Sequence, residues 1–324
     1  MKMHEDAITA PLNDVTVGIK TFYRPDKISI SLDSLVDMGF CEVIVVDDGE
    51  IDSKKENIYA KYSKKLPLKI IELPYDSGLS EGRNRIAECC STNYLLLIDD
   101  DIAITKEVSS LKTILEADFR LGGVAAYLLE NTKSICNACD LIESKDFILK
   151  DYTSKSGLRV ANQGVTYFEA DQIPNAAIFR LSCLNDCRWD KNIKIGCEHI
   201  DFYLKHKRMG KWLFAFTPDV KFLHYPERRG FYSHNFRRNS ERLNHYHEYF
   251  LKKWDKIKII EGKKALTSKA RFWIIHKLYS SGVPVQLISV SEELLIKSEK
   301  GIAKFKKLIK VVLGQIQPAN SYDP

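Results

Sequence analysis

The sequence predicts an α/β fold in which helices cover both faces of a mixed β-sheet, followed by a helical C-terminal extension. Strand-like apolar runs alternate with segments of helical spacing through the first hundred residues. The clearest of these runs are residues 15–20 (VTVGIK), 42–46 (EVIVV) and 94–98 (YLLLI). Continuous apolar strands between helices are typical of a parallel sheet that is buried on both faces. Ligands of such sheets bind beyond the carboxyl ends of the strands.

The segments between these runs predict the remaining elements. Helices are predicted over residues 29–38, from about 50 to 65, from Ser80 to about Cys90 and over 198–209. A short strand is predicted over residues 67–73. Several short strand-like runs between residues 121 and 180 indicate a mixed or antiparallel part of the sheet. A final pair of strands is predicted over residues 212–224, with a turn at Pro218-Asp219.

Length and composition agree with one large domain and an appendage. The chain has 324 residues, of which 44% are hydrophobic and 28% are charged. We divide it into an N-terminal tail (1–13), a main domain (14–250) and a basic helical extension (251–324). The first residues lack the apolar core of a signal peptide, and no apolar run approaches the roughly 20 residues of a membrane span. We therefore expect a cytoplasmic protein whose eight cysteines are reduced.

Three adjacent acids follow the apolar run at residues 94–98. Asp99, Asp100 and Asp101 could form a solvated junction between strand and loop, since aspartate is common in turns. Adjacent carboxylates repel one another, however, unless a cation or hydrogen-bond donors offset their charge. Asp99 and Asp101 point the same way in an extended segment, and two hard oxygen ligands suit Mg²⁺ or Mn²⁺ that also holds a diphosphate.

Six short segments occur in an order that resembles one known family. They are KTFYR (20–24), VIVVDDG (43–49), SEGRNRIAE (80–88), YLLLIDDD (94–101), IGCEHIDFYL (195–204) and FLHYP (222–226). Together they resemble the inverting, nucleotide-sugar-dependent glycosyltransferases of family 2, which have the GT-A fold. The resemblance extends to the branch that includes the β-1,4-N-acetylgalactosaminyltransferases and their bacterial relatives, and it covers about residues 14–230.

The resemblance implies a GT-A, Rossmann-like nucleotide-sugar-binding fold with a UDP-sugar as donor. It implies that Asp48 pairs with the uracil ring and that Asp47 and Thr21 lie beside the nucleotide. Arg83 would meet phosphate charge at the start of a helix, where anions are favoured in any case. The complete set that the resemblance assigns to the nucleotide sugar is Thr21, Arg24, Asp47, Asp48, Arg83, Asn84, Asp99 and Asp100.

The resemblance also implies a Mn²⁺ or Mg²⁺ site formed by Asp99, Asp101 and His224. Asp99 resembles the ribose-side or metal-side acid of the DxD motif, and Asp101 resembles the direct metal ligand. His224 follows the last predicted strand and resembles the histidine that completes the metal site in many GT-A enzymes. The alternative for a single histidine is an ordinary core or surface residue.

The segment Glu198-His199-Ile200-Asp201 resembles the part of the family that keeps the catalytic base. That base removes the proton of the acceptor hydroxyl while this hydroxyl attacks the anomeric carbon opposite the diphosphate. Many members have Glu-Asp here, whereas this chain has Glu-His. Glu198 is the first candidate and Asp201 the second, because positions i and i+3 share a helix face, and His199 is a third. The alternative is a pair of acids that only stabilises a helix N-terminus.

Two arginine pairs, Arg228-Arg229 and Arg237-Arg238, lie among aromatic residues after His224. Basic and aromatic residues interleaved in this way could bind single-stranded nucleic acid. They could equally form a lid over the donor diphosphate, which this region does in similar enzymes. We favour the lid and do not expect nucleic acid as a partner.

An amphipathic segment over residues 292–316 carries lysines opposite an apolar stripe. Such a helix packs on a domain in most proteins, but it could also lie on an anionic membrane surface. Membrane binding would place the enzyme on the inner face of the membrane and suit a lipid-linked acceptor.

These features predict a metal-dependent inverting glycosyltransferase. The donor is a UDP-sugar, with an N-acetylhexosamine favoured, and the acceptor is a glycan or glycolipid of a capsule or lipopolysaccharide. One alternative is transfer to a modified nucleic-acid base. Another is a non-catalytic protein of the same fold that binds glycan or nucleotide sugar.

Overall fold

The computed structural model describes residues 11–152 and 159–262. Four strands form one half of the main sheet, in the spatial order β4 (Tyr94–Asp99), β1 (Val15–Thr21), β2 (Glu42–Asp47) and β3 (Leu68–Glu72). Each of these strands runs parallel to its neighbour. The parallel arrangement predicted for this half is therefore confirmed, and the carboxyl ends of β1, β2 and β4 meet at one edge.

Three helices connect these strands: α1 (Pro25–Asp33), α2 (Ser53–Tyr62) and α3 (Leu79–Cys89). Helix α1 begins earlier than predicted because Pro25 occupies its first turn, where a missing N–H is tolerated. Asp52 caps α2 by accepting a hydrogen bond from Lys55 N at 2.9 Å. Gly78 precedes α3 with a φ of 95°, and a Cβ there would lie 2.8 Å from Lys194 Cα.

The second half of the sheet mixes both strand directions. Its main members are two long strands, β6 (Leu121–Glu130) and β13 (Leu213–His224), and two four-residue strands, β11 (Thr166–Glu169) and β12 (Ala177–Arg180). Strand β12 runs antiparallel to β4 and β6, whereas β13 runs parallel to β6 and antiparallel to β11. Three short strands pair with these members. Strand β5 (Ile102–Ala103) pairs with β13, β7 (Lys133–Ile135) pairs with β6, and β10 (Arg159–Val160) pairs with β11.

The strand pair predicted over residues 212–224 is wrong, because β13 is one continuous strand. Its pairing with β6 is irregular between Thr217 and Lys221, the interval that contains the predicted turn. Asp219 N donates to Thr217 Oγ1 at 3.1 Å, and Val220 stays fully buried. Since proline lacks a backbone donor, Pro218 is accommodated at an irregularity in the pairing, and the chain does not reverse there.

Four further α-helices follow within the described residues: α4 (Ser109–Ala117), α5 (Leu181–Asp186), α6 (Glu198–Met209) and α7 (Ser240–Trp254). A separate three-stranded sheet consists of β8 (Asp140–Glu143), β9 (Phe147–Asp151) and β14 (Lys258–Glu261). Residue 250, the expected end of the main domain, lies within α7, and β14 then pairs in parallel with β9. The extension beyond Gly262 and the segment 292–316 lie outside the described residues.

Both faces of the main sheet are buried, because successive side chains enter two different apolar cores. On β2, Val43 and Val45 belong to one core, whereas Ile44 and Val46 belong to the other. None of these four residues is exposed to solvent. Burial of one such side chain contributes roughly 1.5–3 kcal/mol relative to exposure. The two cores therefore fix the strand ends and the acids that follow them. Among the described helices, none is long and apolar enough to cross a membrane.

Candidate active site

The carboxyl ends of β1, β2 and β4 form a polar crevice. Thr21 ends β1, Asp47 ends β2 and Asp99 ends β4. Thr21 Oγ1 donates to Asp100 Oδ2 at 2.7 Å, which joins the end of β1 to the acids after β4. The structure thus brings together polar residues that lie far apart in the sequence.

Asp48 is held from two sides at the end of β2. Its Oδ1 binds the ammonium group of Lys20, and its Oδ2 accepts from Gly78 N at 2.7 Å. Burial lowers the pKa of Lys20, although Asp48 opposes this change. The absence of a side chain at Gly82 makes room for Lys20, because a Cβ there would lie 2.4 Å from Lys20 Cδ. Lys20 was not predicted as a site residue from the sequence, although it opens the KTFYR segment.

Asp47 supports the fold beside the crevice. Its Oδ1 accepts from Lys55 Nζ and Gly49 N, each at 2.9 Å. Its Oδ2 accepts from Tyr59 OH at 2.6 Å. Burial raises the pKa of Tyr59, and the neighbouring carboxylate raises it further. Asp47 therefore ties α2 to the end of β2, and both of its carboxylate oxygens are bound within the protein.

Arg24 contacts two of the three adjacent acids, Asp100 and Asp101, in different ways. Its guanidinium binds both carboxylate oxygens of Asp100, and its Nη1 donates to Asp101 Oδ2 at 2.8 Å. Asp100 is fully buried, and this burial raises its pKa to about 6 despite the opposing charge of Arg24. Because Arg24 and Thr21 occupy its oxygens, Asp100 stabilises the loop after β4.

Asp101 contacts His224, its predicted partner in the metal site. His224 Nε2 lies 3.5 Å from Asp101 Oδ1, and His224 Nδ1 lies 2.9 Å from Glu130 Oε1. Burial would lower the pKa of His224, but its hydrogen bond with Asp101 raises it. Glu130, which ends β6, lies outside all six family-like segments and was not predicted from the sequence.

A divalent cation fits the donors offered by Asp101 and His224. A metal-bound histidine commonly donates the N–H of its second ring nitrogen to a carboxylate, and Glu130 lies at that position. Asp99, the third predicted ligand, lies with its Oδ1 3.2 Å from Arg83 Nη2. Among the described residues, no cluster of three or more His, Cys, Asp or Glu side chains could hold a metal ion by itself. A cation would therefore also need oxygens from a diphosphate or water, which Mg²⁺ commonly takes.

Arg83 lies between the acid at the end of β4 and the predicted base. Its Nη2 lies 3.2 Å from Asp99 Oδ1, and its Nη1 lies 3.5 Å from Glu198 Oε1. Arg83 and Glu198 are both buried, yet Arg83 Nη1 and Glu198 Oε2 have no hydrogen-bond partner within the described part of the chain. A buried polar group left unsatisfied costs about 1–3 kcal/mol, so these two atoms are suited to contact a ligand.

His199 is placed beside Glu198 and is held neutral. Its Nε2 lies 3.6 Å from Glu198 Oε1. Burial, followed by the positive charge of Arg83, lowers the pKa of His199 well below its ordinary value. A neutral imidazole can accept a proton. The structure therefore brings two of the three candidate bases to one place.

Asp201 and Asn84 hold neighbouring segments of the fold. Asp201 Oδ1 accepts from Trp254 Nε1 at 2.9 Å and lies 2.7 Å from Lys253 Nζ, both on α7. Asn84 Nδ2 donates to Trp189 O at 2.9 Å, and Asn84 Oδ1 accepts from Trp189 N at 3.0 Å. The side chain of Asp201 has no exposure to solvent. Asp201 Oδ2 lies 3.4 Å from Lys205 Nζ but, like Glu198 Oε2, has no hydrogen-bond partner among the described residues. The contacts of Asp201 are thus with α6 and α7, and those of Asn84 are with the segment of Trp189.

Aromatic residues from the predicted lid pack against the loop after β1. Ser233–Arg237 forms a short π-helical turn. Phe236 stacks on Tyr23 with ring centroids 5.5 Å apart. The guanidinium of Arg24 lies 4.6 Å from the ring centroid of Tyr232. This segment therefore covers residues that stand next to the acids.

Residues 16–138 match the family model described as Glycosyl transferase family 2. This segment belongs to that family. The family 2 segment includes Lys20, Asp48, Arg83 and the three acids after β4, whereas Glu198 and His224 lie beyond it. The predicted family is thereby confirmed for residues 16–138, and the described residues confirm the predicted α/β fold with a large mixed sheet.

The family 2 segment is accompanied by similarity to a curated relative and to solved structures. The chain is 33% identical to β-1,4 N-acetylgalactosaminyltransferase 2 of Mus musculus over 90 residues, which are 28% of this chain and 16% of that relative. S. aureus TarS 1–349 in complex with UDP-GlcNAc is 20% identical with a TM-score of 0.48, over 67% of this chain and 60% of that one. GalNAc-T7 with UDP, GalNAc and Mn²⁺ is 12% identical with a TM-score of 0.49, over 68% and 44% of the two chains.

Proposed function

We propose that this protein is a metal-dependent inverting glycosyltransferase. It transfers a sugar, with an N-acetylhexosamine favoured, from a UDP-sugar to a hydroxyl of a glycan or glycolipid in surface polysaccharide synthesis. The observation that carries the proposal is Arg83, which lies between Asp99 and Glu198 and has a buried nitrogen without a hydrogen-bond partner among the described residues. Arg83 can therefore contact the donor diphosphate from a position next to Glu198, the proposed base. The family 2 match over residues 16–138 supports the same class of reaction.

The donor nucleotide binds at the ends of β1 and β2 in this proposal. Lys20 and Gly78 fix the carboxylate of Asp48. A carboxylate can accept about four hydrogen bonds, so Asp48 can also accept one from the uracil ring. The choice of an N-acetylhexosamine rests on the resemblance, and the matched relative is a transferase of N-acetylgalactosamine by name.

The cation would stabilise the negative charge that develops on the departing diphosphate. Asp101 and His224 would hold it, and Glu130 orients His224 through Nδ1. Arg83 adds a second positive charge on the side of Asp99. Guanidinium groups bind phosphate oxygens with strong, charge-assisted hydrogen bonds.

Glu198 is the proposed base. As the acceptor oxygen bonds to the anomeric carbon, the bond from that carbon to the diphosphate breaks, and the acceptor proton passes to the Glu198 carboxylate. Glu198 Oε2 suits this task because it is a buried oxygen with no partner in the described structure. His199 is the alternative base, since it stays neutral beside Glu198.

Glu198→Gln tests the base. A positioned base contributes ~10²–10⁴-fold to the rate, so kcat should fall by that amount. UDP affinity should change little, because glutamine keeps the size of the side chain. The measurement is UDP release from a panel of UDP-sugars with Mn²⁺, together with calorimetric UDP binding. His199→Gln is the matched variant, and its inactivity beside an active Glu198→Gln would transfer the role to His199.

The same assays test the proposed function as a whole. A transferase of this kind should hydrolyse at least one UDP-sugar slowly in Mn²⁺ and bind UDP more tightly in Mn²⁺ than in EDTA. Failure of every UDP-sugar, with equal UDP affinity in both conditions, would contradict the proposal.

A further inference from the structure

A groove with a volume of about 530 Å³ lies between the loop after β13 and the start of α7. The residues that give the groove its character are Arg228, Arg229, His234, Arg238, Ser240 and Glu241. Its three arginines outnumber the two nearby carboxylates, which are Glu241 in the lining and Glu227, whose Oε1 would lie 2.6 Å from a Cβ at Gly230 of the lining. The groove therefore carries a net positive charge and can attract an anionic ligand.

Two of these arginines take no part in the ion pairs of the described structure. Arg229 and Arg238 are exposed, and neither forms an ion pair with any residue that the structure describes. Arg228 donates through Nη2 to Glu130 Oε2. A guanidinium carries five N–H donors, so the bond to Glu130 leaves donors of Arg228 available. Arginine pairs prefer carboxylate or phosphate oxygens as partners.

The groove is connected to the candidate active site through Glu130. This carboxylate binds Arg228 through Oε2 and His224 through Oε1, and His224 in turn contacts Asp101. A ligand in the groove would therefore lie beside the site of sugar transfer. The predicted diphosphate contact, Arg83, belongs to α3 and does not line the groove. The donor accordingly has its own cationic contact, and the groove is available for a second substrate.

Exposed aromatic rings flank the groove in the sequence. Tyr225 and Phe231 precede and follow the first arginine pair, with exposed fractions of 41% and 64%. Large exposed rings supply apolar area at a surface that also offers polar contacts. The start of α7 adds a weaker attraction, because backbone N–H groups at a helix N-terminus favour anions.

We propose that this groove binds anionic groups, phosphate or carboxylate, carried by the acceptor glycan. The inference rests on the proposed function, since it names the class of acceptor for the same site. Arg229 and Arg238 contact the anionic groups, and Arg228 links them to the transfer site through Glu130.

Direct binding of defined polymers tests the proposal without requiring turnover. The probes are dextran phosphate, carboxymethyl dextran and neutral dextran of equal length, and the measurement is calorimetric binding to the full chain at two salt concentrations. The first variant is Arg229→Gln/Arg238→Gln. The matched control is Lys64→Gln/Lys65→Gln, which removes the same charge from exposed positions before β3, at the opposite edge of the sheet.

The unmodified protein should bind one or both anionic dextrans and not neutral dextran. The arginine variant should bind at least tenfold more weakly, since it loses two charge-assisted contacts to the anionic groups. The lysine control should bind within twofold of the unmodified protein. Comparison of the phosphate and carboxylate polymers identifies which anion the groove prefers. Equal weakening in both variants would overturn the proposal, because net charge alone would then explain binding.

Two further outcomes separate this proposal from neighbouring ones. A single-stranded oligonucleotide that binds more tightly than either dextran through the same arginines would overturn the glycan assignment in favour of nucleic acid. Arginine-dependent dextran binding by a protein that hydrolyses no UDP-sugar, and that binds UDP equally in Mn²⁺ and EDTA, would support the groove and contradict the transferase. Thermal unfolding of each variant controls for loss of the fold, which is not expected for exposed side chains without ion pairs.

Discussion

His224 Nδ1 lies 2.9 Å from Glu130 Oε1, so a carboxylate at the end of β6 fixes an imidazole at the end of β13. The same ring presents Nε2 to Asp101 at 3.5 Å. A second carboxylate behind a histidine sets both its orientation and the position of its proton. Glu130 therefore orients His224, the residue that resembles a metal ligand in the sequence.

Glu130→Gln should weaken the Mn²⁺ dependence of UDP binding. Loss of the carboxylate behind a metal-bound histidine typically costs 10–100-fold in metal affinity. A Mn²⁺ titration of UDP binding measures the effect. Glu56→Gln serves as a control, because Glu56 is an exposed acid on α2. An unchanged Mn²⁺ dependence in Glu130→Gln would show that His224 does not act through the metal.

Asp100→Asn and Asp101→Asn should separate stability from metal binding. Asp100 is the buried partner of Arg24, and breaking such a pair costs about 3–5 kcal/mol of unfolding free energy. Asp101→Asn should abolish the difference in UDP affinity between Mn²⁺ and EDTA, whereas Asp100→Asn should retain it. Urea unfolding and UDP calorimetry measure the two properties. The reverse pattern would make Asp100 the ligand.

Asp201→Asn should affect stability more than catalysis. Asparagine can still accept from Trp254 Nε1, but the ion pair with Lys253 is lost. We expect a loss of about 1–3 kcal/mol of unfolding free energy and less than a tenfold decrease in kcat. Glu198→Gln should show the opposite profile in the same assays. A large loss of kcat in a stable Asp201→Asn protein would restore Asp201 as the base.

His206 should make the fold sensitive to mild acid. Its side chain is fully buried on α6, and burial, with Lys205 adding to it, lowers the pKa of His206 to about 4. In the unfolded chain this pKa is about 6.5, so only the unfolded state gains the proton between these values. Unfolding free energy should therefore fall as pH decreases from 6.5 to 4, by at most about 3 kcal/mol.

The contribution of His206 can be isolated with His206→Leu. Its neighbours include Phe202 and Phe214, which suit an aliphatic replacement. The measurement is urea unfolding of both proteins at several pH values between 7 and 4. The gap between the two curves should change across this window. Parallel curves would show that another group controls the acid response.

The sequence predicted the parallel strands well because their apolar runs are continuous. Two cores on opposite faces require apolar side chains at successive positions, as Val43 and Ile44 show. The turn predicted at Pro218-Asp219 failed for a different reason. A proline marks a break in hydrogen bonding, but it does not reveal whether the chain reverses or passes through an irregularity.

Site residues were predicted by position, but their contacts depend on distant parts of the chain. Asp47 and Asp48 are adjacent and chemically identical, yet Lys55 on α2 binds one and Lys20 on β1 binds the other. No local pattern distinguishes them, because the donors come from other elements. Glu130 could not be predicted for the same reason, since its partner His224 is 94 residues away in the sequence.

Phe236 packs on both Phe22 and Tyr23, in the loop that follows β1. For the proposed transferase, we expect a UDP-sugar to enter while these rings are apart and UDP to leave when they separate again. Each aromatic pair contributes about 0.5–1.5 kcal/mol beyond its burial, so separation carries a barrier of its own. We therefore expect departure of UDP, and not cleavage of the glycosidic bond, to limit turnover, so that kcat decreases as solvent viscosity rises.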